Sequence, residues 1–452
     1  MISSRKKLVE KSFVQFSRHY SEKLNIKQPT RLGFYLWLYL FDLLIVGGGI
    51  MGSSTAHWIK QRTGAEFSVG VVEPDPSYST AATTLSVGGL RQQFSLHENV
   101  KIGIFARDFM NEYPYSLLNG KSKDDLHPNL PDVRFQRHGY LFLASEAGQH
   151  ILEDNHRVQI ESGARTKILN TRKLKETFPW LETDGLVSGC YGGEDEGWFD
   201  PWALLQAFKL QAIHNGAEYI TGRVSSFQYR NERPGSATIS LQDGSTRSLE
   251  FNQLLITAGG DSGELGLMAG IGSGSGDLQV PIPVEKRKRY VYVPHCPQGP
   301  GLDCPLVIDP TGVYFRREGL GGNYLCGQSP TEQEEPRDTN LEQVDMDWFD
   351  EAVWPVLANR VKAFETLKVK TAWAGNYDYN HWDQNGIIGR HPVLENVFMA
   401  CGFSGHGIQQ GPAVGRAMSE CILDGGFKTL DLSRFGFERL QRQEKVLERN
   451  IV

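Results

Sequence analysis

Three glycines, Gly47, Gly49 and Gly52, follow the apolar run "DLLIV" and open a stretch of helical character. An acid, Glu73, closes the next apolar run, "FSVGVVEPD". Each residue type has a task in holding a dinucleotide. Gly47 permits the tight turn off the strand, Gly49 lets the backbone approach a pyrophosphate, and Gly52 lets the helix pack close to the strand. The backbone N–H groups at Ile50 and Met51, with the dipole of the helix behind them, favour phosphate. Glu73, 21 residues after Gly52, can accept both hydroxyls of an adenosine ribose. A glycine turn without a ligand is the alternative. Strand, glycines, helix, second strand and acid occur together in the order a dinucleotide site requires.

The turn does not separate NAD from FAD, but two other stretches do. Tyr78–Phe94, "YSTAATTLSVGGLRQQF", is rich in small and hydroxyl residues, among them Ser79, Thr84, Leu85, Ser86, Gly88 and Gly89, and can thread past a ribityl chain and a tricyclic ring. Near the C-terminus, "NVFMACGFSGHGIQQGPAVGRAMSECIL" reads as strand, glycine turn and helix, with Val414, Ala417, Met418, Cys421 and Ile422 on one helical face. Its turn, Gly402, Phe403, Ser404, Gly405, His406, Gly407 and Ile408, would set a second helix N-terminus beside a flavin pyrimidine. That helix end would stabilise the negative charge that appears on reduction.

These motifs resemble the D-amino-acid oxidase/sarcosine oxidase family of flavoproteins over about residues 40 to 440. The resemblance implies an α/β fold, with a Rossmann-type FAD-binding domain interleaved with a smaller α+β substrate domain on an antiparallel sheet. The expected boundaries are 42–115, 196–280 and 371–440 for the FAD-binding domain and 116–195 and 281–370 for the substrate domain, with a C-terminal tail at 441–452. "LLITAGG" reads as a strand ending in glycines, with Ala258 and Gly259 as another backbone pass near the cofactor; the resemblance also implies that Val224 would lie near the adenine and that "DQNGIIGRHP" is the flavin-side loop before the last strand. "LSVGGLRQQFSL", "YGGEDEGWFDPW" and "SPTEQEEP" are similar to a mitochondrial branch of the family that serves assembly of respiratory complex I. That implies complex I assembly intermediates or subunits as partners and the matrix side of the inner membrane as location.

Flavin oxidation of an amine needs the substrate C–H held over the ring and its carboxylate neutralised. Arg91, directly after Gly88-Gly89, is the natural bidentate carboxylate clamp; a structural ion pair is the other reading. Tyr314 and Tyr377 are candidates for the pocket wall. His406 is expected as a flavin neighbour rather than a general base. Gln409 departs from the sarcosine-oxidase pattern, in which a lysine two residues after "GHG" helps hold the carboxylate, and this weighs against amino-acid oxidation. The segment "GNYDYNHW" directly before "DQNGIIG" has no cysteine and the loop before Gly88 has no histidine, so FAD is expected to be non-covalent. Two functions stand: a factor for complex I assembly, and an oxidase or dehydrogenase of a small secondary amine or amino acid.

The remaining composition fits this reading. A chain of 452 residues with net charge −6 is long enough for two domains and does not favour nucleic acid. Its 49 glycines suit tight turns and close ligand approach. The six cysteines include no CxxC pair, so neither a disulfide framework nor a zinc site is expected. Residues 1–31 are basic, with Val9, Phe13, Phe16 and Tyr20 spaced to share a helical face, and read as a mitochondrial transit segment; a basic tail is the alternative. Residues 32–41 read as an apolar linker able to touch a membrane surface, because "DLLIV" is claimed by the strand and the remainder is too short to span. Glu194, Asp195 and Glu196 are expected as a solvated loop rather than a metal site, with Asp200-Pro201 starting a helix. "EKRKRYVYV" is expected as an alternating strand, with a basic docking patch as the alternative, and "SPTEQEEPRDTN" as an exposed acidic loop open to a partner.

Overall fold

The computed structural model describes residues 40–336 and 338–449. The transit segment and most of the apolar linker lie outside the described residues.

The first strand, Leu40–Val46, has both faces covered. Leu43 and Ile45 point to one core; Leu44 and Val46 point to the other. Such a strand reads as a continuous apolar run, which is why a membrane span and a strand were hard to tell apart in the sequence. It starts two residues before the expected boundary. Leu40 already pairs with Glu250, and the Phe41 ring packs on Gly70, so the last residues of the expected linker belong to the sheet.

Around it, an eight-stranded sheet runs in the order Ile387–Arg390, Val397–Cys401, Thr246–Ile256, Leu40–Val46, Val69–Glu73, Glu218–Thr221, with the hairpin Arg223–Arg230/Arg233–Ser240 attached to Thr246–Ile256. The four central pairings are parallel. Helices Ile50–Thr63, His97–Glu112, Pro201–His214 and Gly407–Asp424 cover one face, and the hairpin with Ser262–Met268 covers the other. Asp200 caps its helix through the Ala203 N–H, with Pro201 in the first turn, as expected.

A second eight-stranded sheet runs Lys368–Asn380, Val284–His295, Asn323–Gly327, Tyr314–Glu318, Leu306–Ile308, Tyr140–Ala144, Ser188–Tyr191, Lys167–Asn170. It is not purely antiparallel: Leu306–Ile308 lies parallel to Tyr140–Ala144. Lys368–Asn380 pairs along its length with Val284–His295, so this sheet continues past the boundary expected at 371. The reason is geometric: the strand leaves the second sheet only where Asp378 and Asn380 meet the turn before the last helix.

The chain beyond 440 is packed down. Arg439 pairs with Asp383 at 2.7 Å, the two side chains being 3% and 0% exposed, and the Val446 N–H donates to the same carboxylate. Asp383 also receives the Asn380 amide at 2.9 Å. Removing one partner of such a pair leaves an uncompensated buried charge. Asp383→Ala is expected to lower stability by about 3–5 kcal/mol in urea unfolding; a loss under 1 kcal/mol would show that the pair does not hold this end in place.

Candidate functional site

Gly47 has φ +104°, and a Cβ there would lie 2.4 Å from the Thr257 carbonyl oxygen. A Cβ on Gly52 would lie 2.0 Å from the Gly47 carbonyl oxygen. The turn therefore tolerates only glycine at both positions. Gly49 stands at the helix N-terminus in extended conformation with no side-chain cap, and its Cβ position meets only Thr83 Oγ1. Glu73 accepts the Gly48 and Asp75 N–H groups, both at 2.9 Å, and burial raises its pKa above the usual carboxylate range.

The last helix lies against this first helix because both have small residues at the crossing. A Cβ on Gly411 would strike Ile50 and one on Gly415 would strike Ser54. The two glycine turns end side by side: a Cβ on Gly407 would lie 3.4 Å from the Met51 methyl carbon. Asp378 then ties the C-terminal turn to the second sheet, accepting the Gly402 N–H at 2.7 Å and the Phe403 N–H at 3.1 Å. Burial pushes its carboxyl up to about 6, against these two N–H groups. Ser404 takes a left-handed backbone, φ +49°, and its Oγ accepts the Asn380 N–H.

A cavity of about 180 Å³ opens between the Leu85–Arg91 loop, the C-terminal turn and the second sheet. Leu85, Ser86, Gly89 and Arg91 line it from the first loop, Ser404, Gly405, His406, Ile408 and Gln409 from the C-terminal turn, and Tyr314 and Tyr377 from the sheet. Thus all five residues singled out for chemistry face one space. Gly47, Gly49, Ile50, Met51, Gly52 and Glu73 form the separate turn, with Val224, Ala258 and Gly259 at strand ends beyond it. Gly88, Gly402, Phe403 and Gly407 shape the two loops from behind.

Some expected hydroxyls are already committed within the loop. Ser79 donates to Asp75, and Thr84 donates to the Tyr78 carbonyl. Thr83, which sequence reasoning passed over, is the hydroxyl at the helix N-terminus, accepting the Ile50 N–H at 3.2 Å.

Arg91 is buried, its guanidinium stacked 4.1 Å from the Phe94 ring centre and donating to the Gln93 carbonyl. Its backbone N–H donates to Gln409 Oε1 at 2.7 Å, so the amide that replaces a lysine staples the last helix to the first loop. His406 is held neutral: burial, then the charge of Arg91, lowers its pKa to about 3. Its Nε2 is buried without a protein partner. Tyr377 Oη receives the Arg289 guanidinium at 2.7 Å. Arg289 was missed because it sits inside a basic run that looked like a solvated strand face.

The expectation of a solvated loop is overturned for two of its three acids. Asp195 and Glu196 are 4% and 0% exposed. Asp195 pairs with Arg165 and Arg107, while Glu196 accepts the Gln92 N–H at 2.5 Å and the Gln93 amide at 2.7 Å. The loop folds inward because the strand Gly197–Trp198 must reach Gly89–Leu90. The acidic loop is exposed along most of its length, as expected, but two of its acids are engaged: Glu335 pairs with Arg289 at 2.5 Å and Asp338 with Lys288 at 3.0 Å, joining the two charged runs. Among the described residues no group of acids, histidines and cysteines is placed to hold a metal, and none of the cavity-lining residues is a cysteine.

A Rossmann-type parallel sheet, a glycine turn with an acid on the next strand, and a cleft roofed by a second sheet together define a flavoprotein oxidoreductase. The chain belongs to the DAO family, FAD dependent oxidoreductase, which it matches over residues 42–421, and FAD is its cofactor. It is 50% identical over 430 residues to FAD-dependent oxidoreductase domain-containing protein 1 of Xenopus laevis, covering 91% of this chain and 85% of that one. The Drosophila melanogaster homolog of that protein is 41% identical over 430 residues, covering 91% and 81%. Among solved structures, L-proline dehydrogenase from P. horikoshii superposes with a TM-score of 0.75 at 24% identity, covering 90% of this chain and 100% of that one. The turn fits the group: the crowded Gly47 and Gly52 leave no room for side chains, and at the helix start only the Thr83 hydroxyl approaches Gly49, accepting the Ile50 N–H.

Burial raises the Glu196 pKa from 4.5 to about 7. Folded and unfolded chains hold this proton equally below about 4.5; the fold alone retains it as pH climbs towards 7, so stability falls across that window and is level above it. Glu196→Gln should remove that slope, worth on the order of 3 kcal/mol. Urea midpoints of both proteins at pH 5 and pH 7.5 check it; Asp378 titrates in both and cancels. A parallel decline in the two proteins would refute the assignment.

Proposed function

We propose that the chain uses FAD to oxidise a CH–NH bond of a small secondary amine or amino acid, on the matrix side of the inner mitochondrial membrane. In this reading Gly47, Gly49, Gly52 and the N–H groups of Ile50 and Met51 receive the pyrophosphate, and Glu73 receives the ribose. Val224, Ala258 and Gly259 border the adenosine. Ser79, Thr84, Leu85, Ser86, Gly88 and Gly89 follow the ribityl chain, and Gly402–Ile408 meets the pyrimidine. FAD, held non-covalently, supplies the two-electron acceptor. The observation that carries the reading is the cavity onto which the Leu85–Arg91 loop, the Ser404–Gln409 turn and the second sheet converge.

The chain's own contribution is positioning. Tyr314, Tyr377 and Tyr140 wall the space above Gly89 and Gly405, and burial raises the pKa of all three, keeping them as neutral hydrogen-bonding groups. Arg91 and Arg289 provide positive charge at the wall, which suits a carboxylate-bearing donor. His406 cannot act as a charged acid near neutral pH, and its uncommitted Nε2 is suited to hydrogen bonding within the cleft.

A second reading, a role in assembling respiratory complex I, is supported by the likeness of "LSVGGLRQQFSL" and "YGGEDEGWFDPW" to a mitochondrial branch of the family. Gln409 favours it, since its carbonyl is spent on Arg91 and adds no cation to the cleft. The two readings are compatible.

Anaerobic mixing of the yellow protein with sarcosine, proline and a panel of secondary amines is expected to bleach the flavin with at least one of them. Failure with all, together with co-migration with complex I intermediates on native gels, would leave assembly as the function.

A further inference from the structure

A long irregular stretch, residues 328–345, joins the strand Asn323–Gly327 to the helix at Met346. Loops of this length are uncommon in a compact domain unless they serve as lids or binding segments. This one crosses an open edge. The strand Val284–His295 pairs with Asn323–Gly327 only near its end, at Tyr292 and His295, so its earlier residues have Lys368–Asn380 on one side alone. The acidic stretch lies over that exposed half, held by Glu335 on Arg289 and Arg287, by Asp338 on Lys288, and by the Asn376 amide on the Thr339 carbonyl.

Outside the cleft described above lies a second, polar cavity of about 360 Å³. Arg289, Ser329 and Tyr377 line both spaces, so the Arg289–Glu335 pair stands between them. Both Glu335 oxygens face the Arg289 guanidinium, at 2.5 and 3.1 Å, in the bidentate manner of a bound carboxylate. The Tyr377 hydroxyl completes the cradle, and Arg289 Nε is buried without a partner. The charged groups facing the outer cavity are Arg287, Arg289 and Arg449 against Glu332, Glu335 and Glu448. With Glu335 in place these balance; without it, positive charge is in excess.

We propose that Glu335 is a self-supplied carboxylate that closes the cleft by occupying Arg289 and Tyr377, and that a small carboxylate ligand enters through the outer cavity by displacing it. The acidic stretch is then a strap whose opening is coupled to ligand binding. A tethered carboxylate competes at an effective concentration in the millimolar range, so it lowers the apparent affinity for free carboxylates without touching the flavin. The inference rests on the inner cleft being substrate space. It separates from that reading experimentally, because it concerns binding of a carboxylate that cannot be oxidised.

The test is titration of the FAD-loaded protein with benzoate, followed by perturbation of the flavin absorbance, in wild type and in Glu335→Gln, Glu332→Gln and Arg289→Gln. Glu335→Gln should bind benzoate about tenfold tighter. Glu332→Gln removes a charge from the same cavity without releasing the latch, and should shift affinity by about twofold or less. Arg289→Gln should abolish the perturbation. Glu335→Asp, one methylene shorter, should be intermediate and serves if the Gln variant loses flavin. The idea is overturned if Glu335→Gln binds no tighter than Glu332→Gln, if Arg289→Gln binds like wild type, or if benzoate perturbs none of the proteins. Bleaching by amines with no effect of Glu335 would sink the latch and keep the oxidase; benzoate binding that follows the expected order without bleaching would do the reverse.

Discussion

The site depends on one close approach. The helices Ile50–Thr63 and Gly407–Asp424 come from opposite ends of the chain and touch backbone to side chain where Gly411 meets Ile50 and Gly415 meets Ser54. Any side chain at those glycines would push the helices apart and separate the two glycine turns at their N-terminal ends. Trp58 reinforces the contact by donating its indole N–H to the Pro412 carbonyl at 3.0 Å, inside the last helix. Two helix N-termini set together create a region of positive potential that needs no charged side chain. Such a place suits a cofactor that is anionic at its pyrophosphate and again, on reduction, at its ring.

The second sheet is fixed to this pair mainly by buried polar contacts. Asp378 and Asn380, at the end of one long strand, bind the backbone of Gly402, Phe403 and Ser404. Glu196 accepts the Gln92 N–H and the Gln93 amide, in the segment that directly follows Arg91. Buried carboxylates with raised pKa are costly unless their acceptors are satisfied, and here the partners are mostly backbone N–H groups and amides. The result is a cleft whose roof and floor hold a fixed separation while its wall, the acidic strap, is held by ion pairs nearer the surface.

Electrostatics within the cleft are divided between two arginines of different character. Arg91 is enclosed by aromatic rings and backbone carbonyls, with Glu196 and Glu448 near enough to favour its charge. Arg289 is at the boundary between two cavities and holds a carboxylate already. A lysine after the "GHG" turn would have added a third cation; Gln409 instead spends its carbonyl on the Arg91 backbone. This chain therefore places its accessible positive charge on the sheet side of the cleft rather than at the flavin-side turn.

How much of this was legible in the sequence follows from the range of the interactions. Gly47, Gly49, Gly52 and Glu73 announce themselves because the turn, the helix start and the acid that ends the next strand are set by residues close in sequence, under steric rules that leave glycine little substitute. The Gly402–Gly407 turn and the Asp200-Pro201 cap were readable for the same reason. Asp195, Glu196, Arg289 and Glu335 were not, since an acid or arginine in a polar run looks the same whether it faces water or a partner far along the chain. The sequence by itself determined the parallel sheet, the dinucleotide turn and the family. Only the tertiary structure decided which charges were buried, that strand 368–380 serves the second sheet, and that the basic and acidic runs close on one another, because pairing across that distance depends on where the backbone places each group.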